Sequence, residues 1–70
     1  MSDHVYKHVE LTGSSKVGIE DAVGNAIARA SKTLRNVRGA WVKENHVRCD
    51  SSGKITEYQV NMMVTFVLDD

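Results

Sequence analysis

Trp41 and Gln59 are the two side chains of this 70-residue chain best equipped to handle a small ligand. An indole presents a broad apolar face that stacks on other planar rings, with one N–H donor at its rim. A carboxamide presents a donor and an acceptor side by side, which suits the polar edge of a heterocycle. The same side chains equally suit a subunit interface. Tryptophan is enriched there because it buries a large area with a single polar contact, and glutamine can join an interfacial hydrogen-bond network. His4, His8 and His46 read as solvent-facing or interface residues, and no Cys/His quartet has zinc spacing. Cys49 reads as a passive strand or hairpin residue. Catalysis finds no support: no nucleophile has a plausible base, no carboxylates pair, and no glycine loop is built to cradle phosphate. The chain is expected not to be an enzyme.

The elements that would position Trp41 and Gln59 are legible from hydrophobic spacing. From Tyr58 to Leu68 the chain alternates, with Tyr58, Val60, Met62, Val64, Phe66 and Leu68 on one side. A period of two over that length predicts a long strand with one buried face. The opposite side carries Gln59, Asn61, Met63, Thr65 and Val67, a mixture of polar and apolar groups. Val5–Thr12 reads as an earlier strand, broken at Gly13-Ser14-Ser15, where Ser14 or Ser15 can cap a helix. Ile19, Ala22, Val23, Ala26, Ile27, Ala30 and Leu34 then recur at three- and four-residue spacing, which predicts an amphipathic helix. Glu20 and Asp21 lie near its positive end, and Lys32 and Arg35 near its negative end. Ala40–Glu44 reads as a second strand, and Asp50-Ser51-Ser52-Gly53 as the turn of an antiparallel hairpin into the third.

The expected fold is therefore α+β, in the order βαββ, with a three-stranded antiparallel sheet partly wrapped around one helix. Residues 1–70 form a single domain. One helix covers one face of such a sheet. Ala40 and Val42 are expected on the helix side, and Trp41 on the open side with Gln59, Met63 and Val67. Something else must cover that open face: further copies of the chain, a ligand, or both.

Composition narrows the setting. Nine basic and nine acidic residues give no net formal charge, so the basic stripe of a nucleic-acid protein is missing and no nucleic-acid partner is expected. No apolar run is long enough to span a membrane, and the N-terminal residues have no signal-peptide pattern. A single cysteine excludes an intrachain disulfide and suits a reducing cytoplasm. A chain this short has a marginal core. With disulfide and zinc set aside, oligomerisation is the remaining support.

Several segments in sequence resemble one family, the dodecins. They are Val5-Tyr6-Lys7, Glu10-Leu11-Thr12-Gly13-Ser14-Ser15, Ala28-Arg29-Ala30-Ser31-Lys32-Thr33-Leu34-Arg35, Tyr58-Gln59-Val60 and Val64-Thr65-Phe66-Val67-Leu68. The resemblance covers nearly the whole chain and implies a homododecamer, a hollow sphere of twelve βαββ subunits with helices outside and sheets curving inward. It also implies a flavin ligand (FMN or riboflavin), bound as stacked pairs between symmetry-related subunits. In that family a tryptophan at the start of the second strand stacks on the isoalloxazine ring, and a glutamine on the third strand bonds its polar edge. Gln59 matches that glutamine. On the family pattern Gly39 falls at the stacking tryptophan, and Trp41 follows two residues later, on the same strand face about 6.5 Å further along. Two arginines of the pattern are His46 and Val67 here.

Flavin storage or protection, with Trp41, Gln59 and Gly39 as cofactor-binding positions, is the function this resemblance implies. The alternative is a capsule whose flavin site has degenerated, structural in role or holding another ligand or calcium. Copies of Asp69, Asp70 and Glu44 gathered at symmetry axes would supply the oxygen-rich surroundings that calcium prefers.

Overall fold

A computed structural model describes residues 3–68 and contains four elements: β1 (Tyr6–Ser15), α1 (Ile19–Thr33), β2 (Val37–Cys49) and β3 (Ile55–Val67). The strands form one antiparallel sheet in the order β1-β3-β2. The strand with the clearest alternation is thus the central one, and each outer strand has one unpaired backbone edge. Among the described residues no helix is long and apolar enough to cross a membrane.

The core forms where α1 lies on the sheet. Ala22, Ala26 and Ala30 of the helix meet Val60, Met62 and Val64 of β3, and all six are buried. Leu11, Ile19, Val23, Ile27, Leu34 and Val37 pack around them. The alanine stripe brings the helix backbone close to the sheet, closest at Gly13. A Cβ on Gly13 would run into the Ala22 carbonyl oxygen and come within 2.8 Å of the Ala26 Cβ.

This close approach corrects the reading of Gly13-Ser14-Ser15 as a strand break. β1 continues through all three residues, paired with β3 as far as Ser15↔Tyr58. The glycine is there because the helix crosses it. Ser15 is buried and organises the turn into α1. Its Oγ accepts the Val17 N–H at 2.9 Å and the Gly18 N–H at 3.4 Å, and donates to Asp21 Oδ2 at 2.6 Å. The serine therefore ties up amides just ahead of the helix. Gly18, at the N-cap itself, has no side chain to contribute.

The second correction concerns β2, which runs over Val37–Cys49 where Ala40–Glu44 was expected, while β3 begins at Ile55. The hairpin pairs all the way to its turn. There Asp50 Oδ1 accepts the Ser52 N–H (2.9 Å), the Ser52 hydroxyl (2.7 Å) and the Lys54 N–H (3.1 Å). Gly53 adopts φ +86°, which a glycine takes without strain. These hydrogen bonds favour the ionised form of Asp50, led by that from Ser52, and lower its pKa below the usual carboxylate value.

Ala40 and Val42 do share the helix side of the sheet, paired with Val64 and Met62. They are nevertheless exposed, Val42 at 45%. The reason is lateral: α1 lies over β1 and β3, burying Met62 and Val64, and leaves the neighbouring strand β2 largely uncovered. A strand of 13 residues, spanning about 43 Å, also outruns a helix of 15 residues, spanning about 22 Å, and the described chain is elongated, 56 × 20 × 14 Å.

Candidate ligand face of the sheet

Strand register sorts the helix-free face into cross-strand rows. His8, Thr65 and Gly39 form one row; Glu10, Met63 and Trp41 form the next. Thr12, Asn61 and Glu44 follow, then Ser14, Gln59 and His46. Trp41 and Gln59 therefore lie on one face, as the alternation indicated. They are two rows apart, about 13 Å along the strand, and Gly39 is about 20 Å from Gln59. One chain brings Gly39 and Trp41 together and leaves Gln59 out of reach. A ring stacked on Trp41 meets Gln59 only by spanning that gap, or by meeting the Gln59 of another copy of the chain.

Gly39–Val42 is set off by a register shift on each side, at Val37/Gly39 and at Val42/Glu44. Bulges re-aim side chains and increase local twist, so this stretch is held in its own orientation. Trp41 is half exposed, at 50%. Its neighbour across the sheet is His8, with ring centroids 4.9 Å apart and planes at 73°, an edge-to-face arrangement. His8 is itself fixed by a 3.1 Å hydrogen bond between Nδ1 and Thr65 Oγ1. A Cβ at Gly39 would meet nothing within 4 Å, so the space beside Trp41 is open.

Charged groups border this aromatic pair. Lys43, within the second register shift, donates through Nζ to Glu10 Oε2 at 3.3 Å. That bond from Lys43, a second from Asn61 and the Lys43 charge all lower the Glu10 pKa. Both partners are well exposed, so the ion pair contributes little to stability. At the far end Gln59 donates to Glu57 Oε1 at 3.4 Å, and Arg48 Nε lies 3.5 Å from the same oxygen. The amide is thereby oriented by its own strand.

The remaining candidates sit apart. His4 stacks edge-on to Tyr6 at 6.4 Å, His46 shares the Gln59 row, and Cys49 is a free, exposed thiol. No group of three His, Cys, Asp or Glu residues among the described residues could hold a metal ion within one chain. Asp69 and Asp70 lie outside the described residues. Sequence spacing alone did not single out His8. It lies 33 positions from Trp41, and only the strand order reveals that both flank β3 on one face.

Comparison with known proteins agrees with this architecture. A family model described as Dodecin matches residues 5–69. The chain is 46% identical over 66 residues to the dodecin of Thermus thermophilus, covering 94% of each. It is 37% identical over 62 residues to a protein of Mycobacterium tuberculosis named calcium dodecin, covering 89% of this chain and 86% of the other. The structure of a dodecin from Streptomyces davaonensis superposes with a TM-score of 0.92 at 38% identity, covering 99% of this chain and all of that one. With the same element order and nearly full-length matches, the chain belongs to the dodecin family.

Proposed function

We propose that the chain is a non-enzymatic subunit of a dodecameric capsule that binds, stores or protects flavin, of the FMN or riboflavin type. The observation that carries this reading is Trp41. A half-exposed indole stands on the sheet face that the chain's own helix does not cover, beside open space at Gly39. Leaving so large an apolar group in water is unfavourable, and a stacked planar ring removes that cost. Gln59 on the same face offers the matching polar contact from a neighbouring subunit. A flavin held against an indole is also protected photochemically, because the indole quenches the excited ring by electron donation.

The test is fluorescence. Light scattering should first report a particle of twelve chains. Riboflavin added to that particle should lose its emission on binding, and Trp41→Ala should restore most of it while leaving the particle intact. Loss of the stacking contact, about 0.5–1.5 kcal/mol beyond area burial, corresponds to roughly two- to tenfold weaker binding. If the wild-type particle leaves riboflavin emission untouched at tens of micromolar, Trp41 is an interface residue and the flavin reading fails.

A second reading has one observation in its favour, the likeness to a relative named calcium dodecin. Since no described cluster in one chain can hold a metal, calcium would be bound by carboxylates from several copies, with Asp69, Asp70 and Glu44 as the donors.

A further inference from the structure

His8 is an exposed histidine that alternation alone leaves without a task, yet the fold fixes it at two points. Its Nδ1 is hydrogen-bonded to Thr65 Oγ1, and its ring packs edge-to-face with Trp41. It also occupies the same cross-strand row as Gly39, with Thr65 between them. Where Gly39 contributes no side chain, the row therefore has an open floor of Gly39 and Thr65, with an imidazole at one end and the indole of the adjacent row alongside.

We propose that His8 is a ligand-contacting residue of this slot, acting as the polar wall opposite the open floor at Gly39. The inference rests on the flavin reading and extends it by assigning a contact within a single chain. With Nδ1 engaged by Thr65, Nε2 is the second polar atom of the ring and has no protein hydrogen-bond partner among the described residues. An imidazole with one nitrogen anchored and the other unused is oriented for a further hydrogen bond. Trp41 supplies the stacking surface, and His8 supplies a hydrogen bond to a nitrogen or oxygen at the rim of the stacked heterocycle. The geometry thus favours planar rings with polar atoms at the rim over purely hydrocarbon rings. It also explains how a chain with glycine at position 39 retains a specific site: the selectivity is provided across β3, from β1.

The experiment uses the assembled full-length protein with riboflavin as probe, and reads Kd from the loss of flavin emission. His8→Phe keeps an aromatic ring against Trp41 and removes both nitrogens. His8→Gln keeps a polar group at about the reach of Nε2. His8→Phe should bind riboflavin about fivefold more weakly, the loss of one neutral hydrogen bond, whereas His8→Gln should stay within about twofold of wild type. His8 is exposed, so both variants should assemble normally. Unchanged binding by His8→Phe overturns the inference and leaves the flavin reading standing. Equal weakening in both variants also overturns it, since packing rather than hydrogen bonding would then be the cause. If wild-type protein fails to quench riboflavin at all, the flavin reading fails first and this inference falls with it.

Discussion

Replacing Gly13 with alanine adds one methyl group at the point where helix and sheet approach most closely. Gly13 has an extended backbone that any residue can adopt, so the effect is purely steric. The new Cβ would overlap the Ala22 carbonyl oxygen and come within 2.8 Å of the Ala26 Cβ. Ordinary carbon–carbon contacts lie near 3.5–4.0 Å, so the helix must retreat by about 1 Å. Neither obstacle can rotate away, because one is backbone and the other a methyl fixed to a helix. A gap of that size forfeits about a quarter to a half of each contact's attraction. It opens over Val60, Met62 and Val64, all fully buried at 0% exposure. Overpacking of this kind typically costs about 1–3 kcal/mol. Gly24 provides the internal control. It lies in the same helix with nothing within 4 Å of a built Cβ, so Gly24→Ala should stabilise by up to about 1 kcal/mol through helix propensity. The assay is thermal unfolding of both variants at one protein concentration, since the melting temperature of an oligomer depends on it. The two shifts should have opposite signs. A Gly13→Ala variant that melts at or above wild type would refute the close-packing argument.

Three further outcomes are expected. Met62→Ala, at a fully buried position, should cost about 2–5 kcal/mol in denaturant unfolding, and a loss below 1 kcal/mol would place Met62 outside the core. Folding lowers the Asp50 pKa, so the folded state binds fewer protons. The resulting stability is complete above the ordinary carboxylate range and is lost as pH falls through the folded value. The difference in melting temperature between wild type and Asp50→Asn should therefore shrink between about pH 6 and pH 3; a constant difference would remove the turn hydrogen bonds as its cause. If carboxylates meet at symmetry axes, calcium should raise the melting temperature relative to a chelator through preferential binding to the assembled state, and identical curves would eliminate that site.

Legibility in the sequence followed burial. The alternation of β3 was clear because Val60, Met62 and Val64 have a helix on one side, and that alternation placed Trp41 and Gln59 on a common face. It failed for β2 beyond Val42, where Asn45, His46 and Arg48 carry no periodicity because neither sheet face is covered within the chain. Gly13 was misread because a glycine required by a crossing helix looks the same in sequence as one required by a turn. The spacing between Trp41 and Gln59 was illegible for a further reason: facing direction is a local property, whereas distance depends on register across β3. The two register shifts beside Gly39–Val42 also have no composition signal. His8 went unsingled because its contact with Trp41 depends on a strand order that the chain only acquires on folding.

The order β1-β3-β2 leaves both outer strands with a bare row of backbone donors and acceptors. On β2 that row extends along a strand of 13 residues with no proline to interrupt it. Such an edge is a template open to pairing with an extended peptide. If the chain assembles with its own copies as proposed, that assembly competes with pairing of the free edges to unrelated extended chains. Encounters among copies accelerate with their concentration, while the background of unrelated chains does not. Under that competition, slow production in a crowded cell is more hazardous to this fold than abundant production.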